Sequence, residues 1–377
     1  MRVAVITETF LPNVNGVVTT LCRLLEHLHD HGHEALLVAP DGMLTSYAGA
    51  EIIPMRGVPL PSYPELRLTP PQPGLTAQLR RFRPDLVHLA GTMALGVAGR
   101  HAARQLGVPL VAAYHTDFPA YTTHYGLGFL RTVAYRYLRW VHNSCAFTLC
   151  PSLATIADLR DHGFRRLRLW GRGVDTERFH PSNRSVAWRE SVGAQPDERV
   201  LLYVGRLASE KRLDLLADVL PSLPNTRLVL VGDGPLRPAL EQRLSGMRAH
   251  FTGYLRGADL ATAYASADLF VFPSDTETFG QVIQEAMASG LPVVAARAGG
   301  AIDMVRDGVT GALFHPGSAA ELYTQTLRLV NDPVQCAAMS MAGRAAAERR
   351  SWGRVMDELL GHYQMTLQQQ RLRRRTA

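Results

Sequence analysis

The stretch DLFVFPSDTETFGQVIQEAMASGLPVVAA, Asp268 to Ala296, decides the fold. It opens on a short apolar run, LFVF, and crosses a polar loop to Gly280. It continues with the helical pattern QVIQEAMA and closes on a second apolar run, PVVAA. Apolar runs of four to eight residues on either side of a helix read as a βαβ unit, whose two strands are parallel. The rhythm repeats along the chain. RVAVI, EALLVAP, DLVHLA, LVAAYH and FTLC alternate with helical patterns such as VVTTLCRLLEHLHDHG and FLRTVAYRYLRWVHN. It breaks over Thr176–Arg199, a polar stretch with two prolines that reads as a connector. It then restarts with VLLYVG, TRLVLVG, AHFTG, DLFVFP and PVVAA. Strands apolar on both faces belong to parallel sheets covered by helices. The expected fold is α/β, with two Rossmann-like, doubly wound domains, residues 1–178 and 179–350. Residues 351–377 form a helix expected to pack back toward the N-terminal domain.

A chain of 377 residues is long enough for two such cores. Its four cysteines show no CxxC spacing and read as thiols of a reducing compartment. RVAVI follows the first methionine directly, and no apolar run reaches about 18 residues, so neither a signal peptide nor a membrane span is expected. The expected location is cytoplasmic. The formal charge of +7 is uneven, with +6 of it in residues 1–195. Two readings compete: an arginine-rich solvated surface, or attraction to an anionic membrane face or acidic substrate. The second would make the protein peripheral on the inner face of the plasma membrane. Nucleic acid is not an expected partner, because no helix-turn-helix, zinc or RNP-type motif accompanies the charge.

Open α/β sheets bind ligands outside the carboxyl ends of their strands, so the loops there carry the chemistry. After the first strand, Gly16 precedes a helix, where a ligand could approach backbone amides. A structural turn glycine explains it equally well. After LVAAY come His115 and Asp117, too few ligands for a metal. After VLLYV come Gly205, Arg206 and Lys211. Lys211 is the only lysine in the chain, the other 39 of its 40 basic residues being arginine. A planar guanidinium and a compact ammonium at this spacing can converge on a diphosphate. Gly232 and Gly234 form a tight GDG turn. Glu277 lies in the loop before the helix that starts near Gly280. It can reach a ligand over the helix N-terminus, where the Phe279 and Gly280 amides suit phosphate. Glu285, in an apolar helix, can bond vicinal hydroxyls such as those of a ribose. A solvated-face reading for either acid is the weaker one.

GRLASEK (Gly205–Lys211), then ETFGQVIQEAMASGLPVVA with its Glu-x7-Glu, then AGG and DGVTGALF resemble the retaining GT-B glycosyltransferases of family 4. HTDFPAY, TLCPS and LWGRGVDTERFHP look like a narrower group, the bacterial lipid and lipoglycan α-mannosyltransferases and the sulfoquinovosyltransferases. The resemblance implies a GT-B fold of two domains facing a central cleft, with residues 1–178 binding the acceptor and residues 179–350 a nucleotide-sugar donor. Arg206 and Lys211 would hold the diphosphate, and Glu277 the donor sugar near the Phe279 and Gly280 amides. Glu285 would hold the ribose, Gly16 would approach the phosphate, and His115 would face the sugar. The GDG turn and Tyr254, within FTGYL, would line the base. Asp117, Tyr121 and Tyr125 would shape the acceptor region. Where many relatives have GG-x-PE, this chain has GGAID, so Asp303 receives no donor role. No cofactor and no metal are expected. The implied reaction moves a hexose from GDP-mannose to a lipid or glycolipid acceptor with retention. A UDP-sugar-dependent diacylglycerol glycosyltransferase is the runner-up. A pyridoxal-phosphate phosphorylase and a non-catalytic nucleotide-sugar-binding module are the alternatives of other classes.

Overall fold

A computed structural model describes the chain except residues 14, 61–62, 70–73, 120–127 and 377. Two compact units emerge. Among the described residues, one comprises 1–119, 128–172 and 352–376, and the other comprises Gly173–Ser351.

The first unit is built on β1 (Arg2–Ile6), β2 (Glu34–Pro40), β3 (Ser46–Tyr47) and β4 (Ala50–Met55). After a separate hairpin, β5 (Val58–Leu60) with β6 (Tyr63–Leu68), come β7 (Leu86–Leu89), β8 (Leu110–Ala113), β9 (Phe147–Cys150) and β10 (Leu167–Leu169). The sheet order is β10-β9-β8-β7-β1-β2-β4-β3, parallel except for the β3–β4 edge pair. Strands β1, β7, β8 and β9 bury nearly every side chain, as parallel strands covered on both faces must. The C-terminal helix Trp352–Thr376 belongs to this unit. Val355, Met356, Leu359, Leu360 and Tyr363 join the core that holds Leu21, Leu24 and Leu28 of the helix Gly16–Asp30. Val355, Leu359 and Tyr363 recur every fourth residue, the spacing that puts side chains on one helix face.

The second unit carries β11 (Arg199–Val204), β12 (Thr226–Val231), β13 (Ala249–Gly253), β14 (Leu269–Phe272), β15 (Val293–Ala296) and β16 (Gly311–Phe314). All its pairs are parallel, in the order β13-β12-β11-β14-β15-β16. This is the doubly wound order, with the switch point between β11 and β14. In the first unit the same order places its switch between β1 and β7.

Thr176–Arg199 is a structured part of the second unit rather than a connector. It holds the turn Pro181–Asn183 and the helix Val186–Ser191, capped by Ser185. Its polar side chains have internal partners. Arg184 and Arg189 bond both Asp268 oxygens at 2.7 and 2.8 Å, and Trp188 packs on the core. Polarity here reflects ion pairing with a loop about 80 residues away, which no local pattern reveals.

Candidate active site

In the second unit, the loops leaving β11 and β14 meet at the switch point. Lys211 follows β11 and Glu277 follows β14, and Lys211 Nζ donates to Glu277 Oε2 at 2.8 Å. Burial works against the ionised carboxyl of Glu277. The charge and hydrogen bond of Lys211 and the Phe279 and Gly280 amides outweigh it and hold the group below the usual range. The same two amides, expected from the sequence to lie near sugar and phosphate, here hydrogen-bond the Glu277 carboxylate. Gly280, at φ +89°, makes the turn into the helix Gln281–Ala288. Gly299 is required by contact: a Cβ there would lie 2.0 Å from the Glu277 carbonyl oxygen, at φ +50°. The AGG segment is thereby pressed against the Glu277 loop.

Glu285 lies about one turn into the same helix. Burial raises its pKa to about 7, against the Tyr264 hydroxyl, the charge of Arg178 and Gln281. Tyr264 Oη donates to Glu285 Oε2 at 3.0 Å. Arg206 is partly buried, and its carbonyl accepts from Tyr203 Oη at 3.0 Å. Gly205, Gly232 and Gly234 end adjacent strands. A Cβ on Gly232 would come within 2.0 Å of the Gly205 carbonyl oxygen, and one on Gly234 within 2.5 Å of that of Leu207. Packing within the unit therefore accounts for both GDG glycines. Tyr254 is 63% exposed beside this turn, where Gly232 N donates to Gly253 O at 2.8 Å. A depression of about 730 Å³ lined by Arg184, Arg189, Glu198 and Asp268 lies at the opposite end of the sheet. Internal ion pairs fill its polar valence.

In the first unit, the loops after β1, β7 and β8 enclose a cavity of about 60 Å³ lined by Glu8, Gly91, Thr92, His115, Thr116 and Phe118, among others. Arg172, 7% exposed, donates to His115 Nδ1 at 2.5 Å and to the carbonyls of Trp170 and Gly171, with its guanidinium 4.7 Å from the Trp170 ring centroid. Burial lowers its pKa to about 9, so it remains a cation at neutral pH. A guanidinium only donates, so His115 Nδ1 accepts and the ring hydrogen sits on Nε2. Burial, then Arg172, His88 and His142, push the His115 pKa well below 6.5. His115 is a neutral imidazole of fixed tautomer.

Asp117 accepts from Tyr114 Oη at 3.2 Å. Gly16 opens the helix Gly16–Asp30, whose Val17 and Val18 amides are capped by Asn15 Oδ1 at 3.0 Å. A Cβ on Gly16 would meet nothing within 4 Å, so the fold itself does not require glycine there. Tyr121 and Tyr125 lie outside the described residues.

The sequence reading gave no role to Arg172, which stands inside LWGRGVDTERFHP, or to Glu8. Glu8 is 4% exposed, accepts from Gly96 N at 3.0 Å, and is raised to about 7 by burial against four backbone hydrogen bonds. Its position just after the first strand was a usable signal.

The profile described as Glycosyltransferase Family 4 matches residues 14–178, and that described as Glycosyl transferases group 1 matches 198–332. The chain is 42% identical over 368 residues to a GDP-mannose-dependent alpha-mannosyltransferase of Corynebacterium glutamicum, covering 96% of this chain and 88% of that protein. It is 37% identical over 350 residues to a sulfoquinovosyl transferase of Arabidopsis thaliana, covering 90% and 68%. Among solved structures, sucrose-phosphate synthase from Thermosynechococcus elongatus aligns with a TM-score of 0.83 at 21% identity, covering 97% and 98%. Anabaena HepE in complex with UDP aligns at 0.79 and 23%, covering 97% and 100%. The two units thus have the GT-B fold, and the chain is a glycosyltransferase. It belongs to glycosyltransferase family 4.

Proposed function

We propose that this glycosyltransferase moves mannose from GDP-mannose to a lipid or glycolipid acceptor, forming an α-glycosidic bond. The Lys211–Glu277 pair at the β11–β14 switch point carries the reading, and 42% identity to three GDP-mannose-dependent alpha-mannosyltransferases supports the donor. Lys211 and Arg206 hold the diphosphate, the Lys211 ammonium being shared between Glu277 and a phosphate oxygen. Glu277 bonds the sugar, and Glu285 with Tyr264 bonds the ribose. Tyr254, half-turned to solvent, stacks on the base. His115 donates from Nε2 to a sugar hydroxyl. Gly16 leaves room for phosphate, a demand the fold does not otherwise make. The anomeric C–O bond to the β-phosphate breaks as the acceptor oxygen bonds the same face, and the acceptor proton passes to the departing phosphate. Fixed cations stabilising that departure supply most of the rate. The Asp117 loop shapes the acceptor region, and no metal enters the scheme.

For the membrane, the support is one helix face. Phe129, just before the helix Arg131–His142, and Val133, Arg136 and Trp140 along it are exposed and share one face by their spacing of four, three and four, while Tyr135, Leu138 and Val141 face the core. Apolar side chains framed by cations suit an anionic bilayer surface. No described helix is long and apolar enough to cross a membrane. The reading places the protein on the cytoplasmic face.

The test is transfer of labelled sugar into chloroform-soluble product, comparing GDP-mannose, UDP-glucose and UDP-sulfoquinovose with diacylglycerol-based glycolipids as acceptors. Labelled lipid from GDP-mannose, with an α-anomeric signal, is expected. Label from a UDP-sugar alone would move the donor to the runner-up, and a β-anomer would end the front-face scheme.

A further inference from the structure

The run HLHDHGH, His27 to His33, places four histidines at alternate positions across the end of the helix Gly16–Asp30 and the turn after it. Helical spacing sorts them. His27 and His31 stand at i and i+4 and share a face, with ring centroids 4.0 Å apart. His29 turns toward Gly49, and His33 Nδ1 meets the chain's amino terminus at 3.2 Å. Opposite the His27–His31 face, the C-terminal helix presents Asp357. Its Oδ1 lies 3.0 Å from His27 Nε2 and 4.0 Å from His31 Nε2. The three potential ligand atoms lie within 4.8 Å of one another, the only such group of three or more His, Cys, Asp or Glu among the described residues.

Hydrogen bonding prepares the imidazoles. His31 Nδ1 lies 2.8 Å from the His27 carbonyl. That oxygen only accepts, so Nδ1 carries the hydrogen and the Nε2 lone pair faces Asp357. A backbone carbonyl holding the far ring nitrogen is the usual way a protein orients a metal-binding histidine. His27 has a single proton to yield, the one its Nε2 shares with the Asp357 carboxylate.

We propose that His27, His31 and Asp357 form a binding site for a zinc-like divalent cation that straps the C-terminal helix to the first helix. Two imidazoles and one carboxylate suit Zn²⁺, Co²⁺ or Ni²⁺, whereas Mg²⁺ and Ca²⁺ require mostly oxygen. Water completes the shell on the exposed side. Bonds of about 2.0–2.1 Å draw the three ligand atoms inward by about 1 Å. His31 and Asp357 are exposed enough to make that move. The C-terminal helix is otherwise fastened by Tyr363 to His88, by Trp170 Nε1 to the Val355 carbonyl at 3.2 Å, and by Gln370 to the Gly107 carbonyl at 2.8 Å. The cation adds a further tie, one that responds to metal supply. None of its ligands lines the His115 cavity, so it acts on stability rather than turnover.

Untagged full-length protein, stripped with EDTA, is titrated with ZnCl₂ by calorimetry and in thermal melts. The expected result is one zinc per chain with a Kd at or below about 1 μM. At 100 μM zinc the melting temperature should rise by about 2 °C or more, with no response to MgCl₂. Cobalt in place of zinc should give the strong visible absorption of a tetrahedral site. His31→Ala and Asp357→Asn should each weaken binding about tenfold or more and erase the thermal response, with sugar transfer unchanged. Asp357→Asn keeps an acceptor for His27, so its loss of zinc separates metal binding from the hydrogen bond. Two results would overturn the proposal: no saturable binding below about 100 μM, or binding unchanged in both variants, which marks an adventitious ion only.

Discussion

The two units solve the same topological problem with opposite electrostatics. Each has a switch point, and each places a glutamate there with its carboxylate on the amides of a following helix. In the second unit that glutamate is Glu277, and Lys211 makes it a fixed anion. In the first unit it is Glu8, buried, with no ion-pair partner among the described residues and a pKa near 7. Its neighbourhood holds the reverse charge in Arg172, a buried cation that leans on a neutral histidine. A charged, ion-paired crevice suits a diphosphate that must leave carrying charge. A crevice of neutral donors suits hydroxyls, which are positioned rather than neutralised.

Breaking the charged side should cost most. Lys211→Ala should lower kcat/KM by 10²–10³, about 2.7–4 kcal/mol, the range for losing one fixed donor at a developing anion. Lys211→Arg should still lose more than tenfold, because a planar fork cannot replace a compact ammonium between carboxylate and phosphate. Steady-state transfer assays check both, with circular dichroism to confirm folding.

The neutral side should respond through pH. Arg172→Met removes the cation that keeps Nδ1 unprotonated and that, after burial, does most to hold the His115 pKa down. We expect kcat/KM to fall about tenfold, within the range for a displaced general donor, and an acid limb to appear at higher pH than in the wild type. Activity should drop as pH falls through the raised pKa, because the protonated ring is the inactive form. A pH–rate profile reads this, and addition of His115→Ala should remove the limb.

Glu8 should show in stability. Its folded pKa of about 7 stands above the ordinary 4.5. The contribution it makes is therefore whole below pH 4.5 and is lost as pH rises to 7, as ionisation of the buried group begins to cost. Glu8→Gln, which keeps an acceptor for Gly96 N, should flatten that loss by on the order of 1–3 kcal/mol, measured by denaturation between pH 4.5 and 8. The smallest effect is expected at Tyr254, where Tyr254→Ala should raise the donor KM a few-fold without changing the melting temperature. A 63% exposed ring adds stacking but little core.

The same contrast explains what the chain disclosed before its structure was known. Parallel strands were readable because LLYV, LVLV and FVF are apolar on both faces. The Lys211–Glu277 contact of the candidate site in the second unit joins two short stretches that the sequence marks out, GRLASEK and the loop and helix from Glu277 to Glu285. The first unit's site draws single residues from positions 8, 115 and 172, and nothing in their local spacing announces that Arg172 meets His115. Thr176–Arg199 was misread for the same reason, since its arginines answer to Asp268. That the Glu277 side chain folds back onto the Phe279 and Gly280 amides is likewise not visible in local spacing.

Nucleotide-dependent melting tests the central claim most directly, namely that the Lys211–Glu277 crevice binds a guanosine diphosphate donor. Protein is melted with GDP, UDP and ADP across a millimolar range, as wild type and Lys211→Ala. The account predicts a saturable rise with GDP, a clearly smaller one with UDP or ADP, and near loss of the GDP response in the variant. No shift with any nucleotide, or a GDP shift untouched by Lys211→Ala, would contradict it.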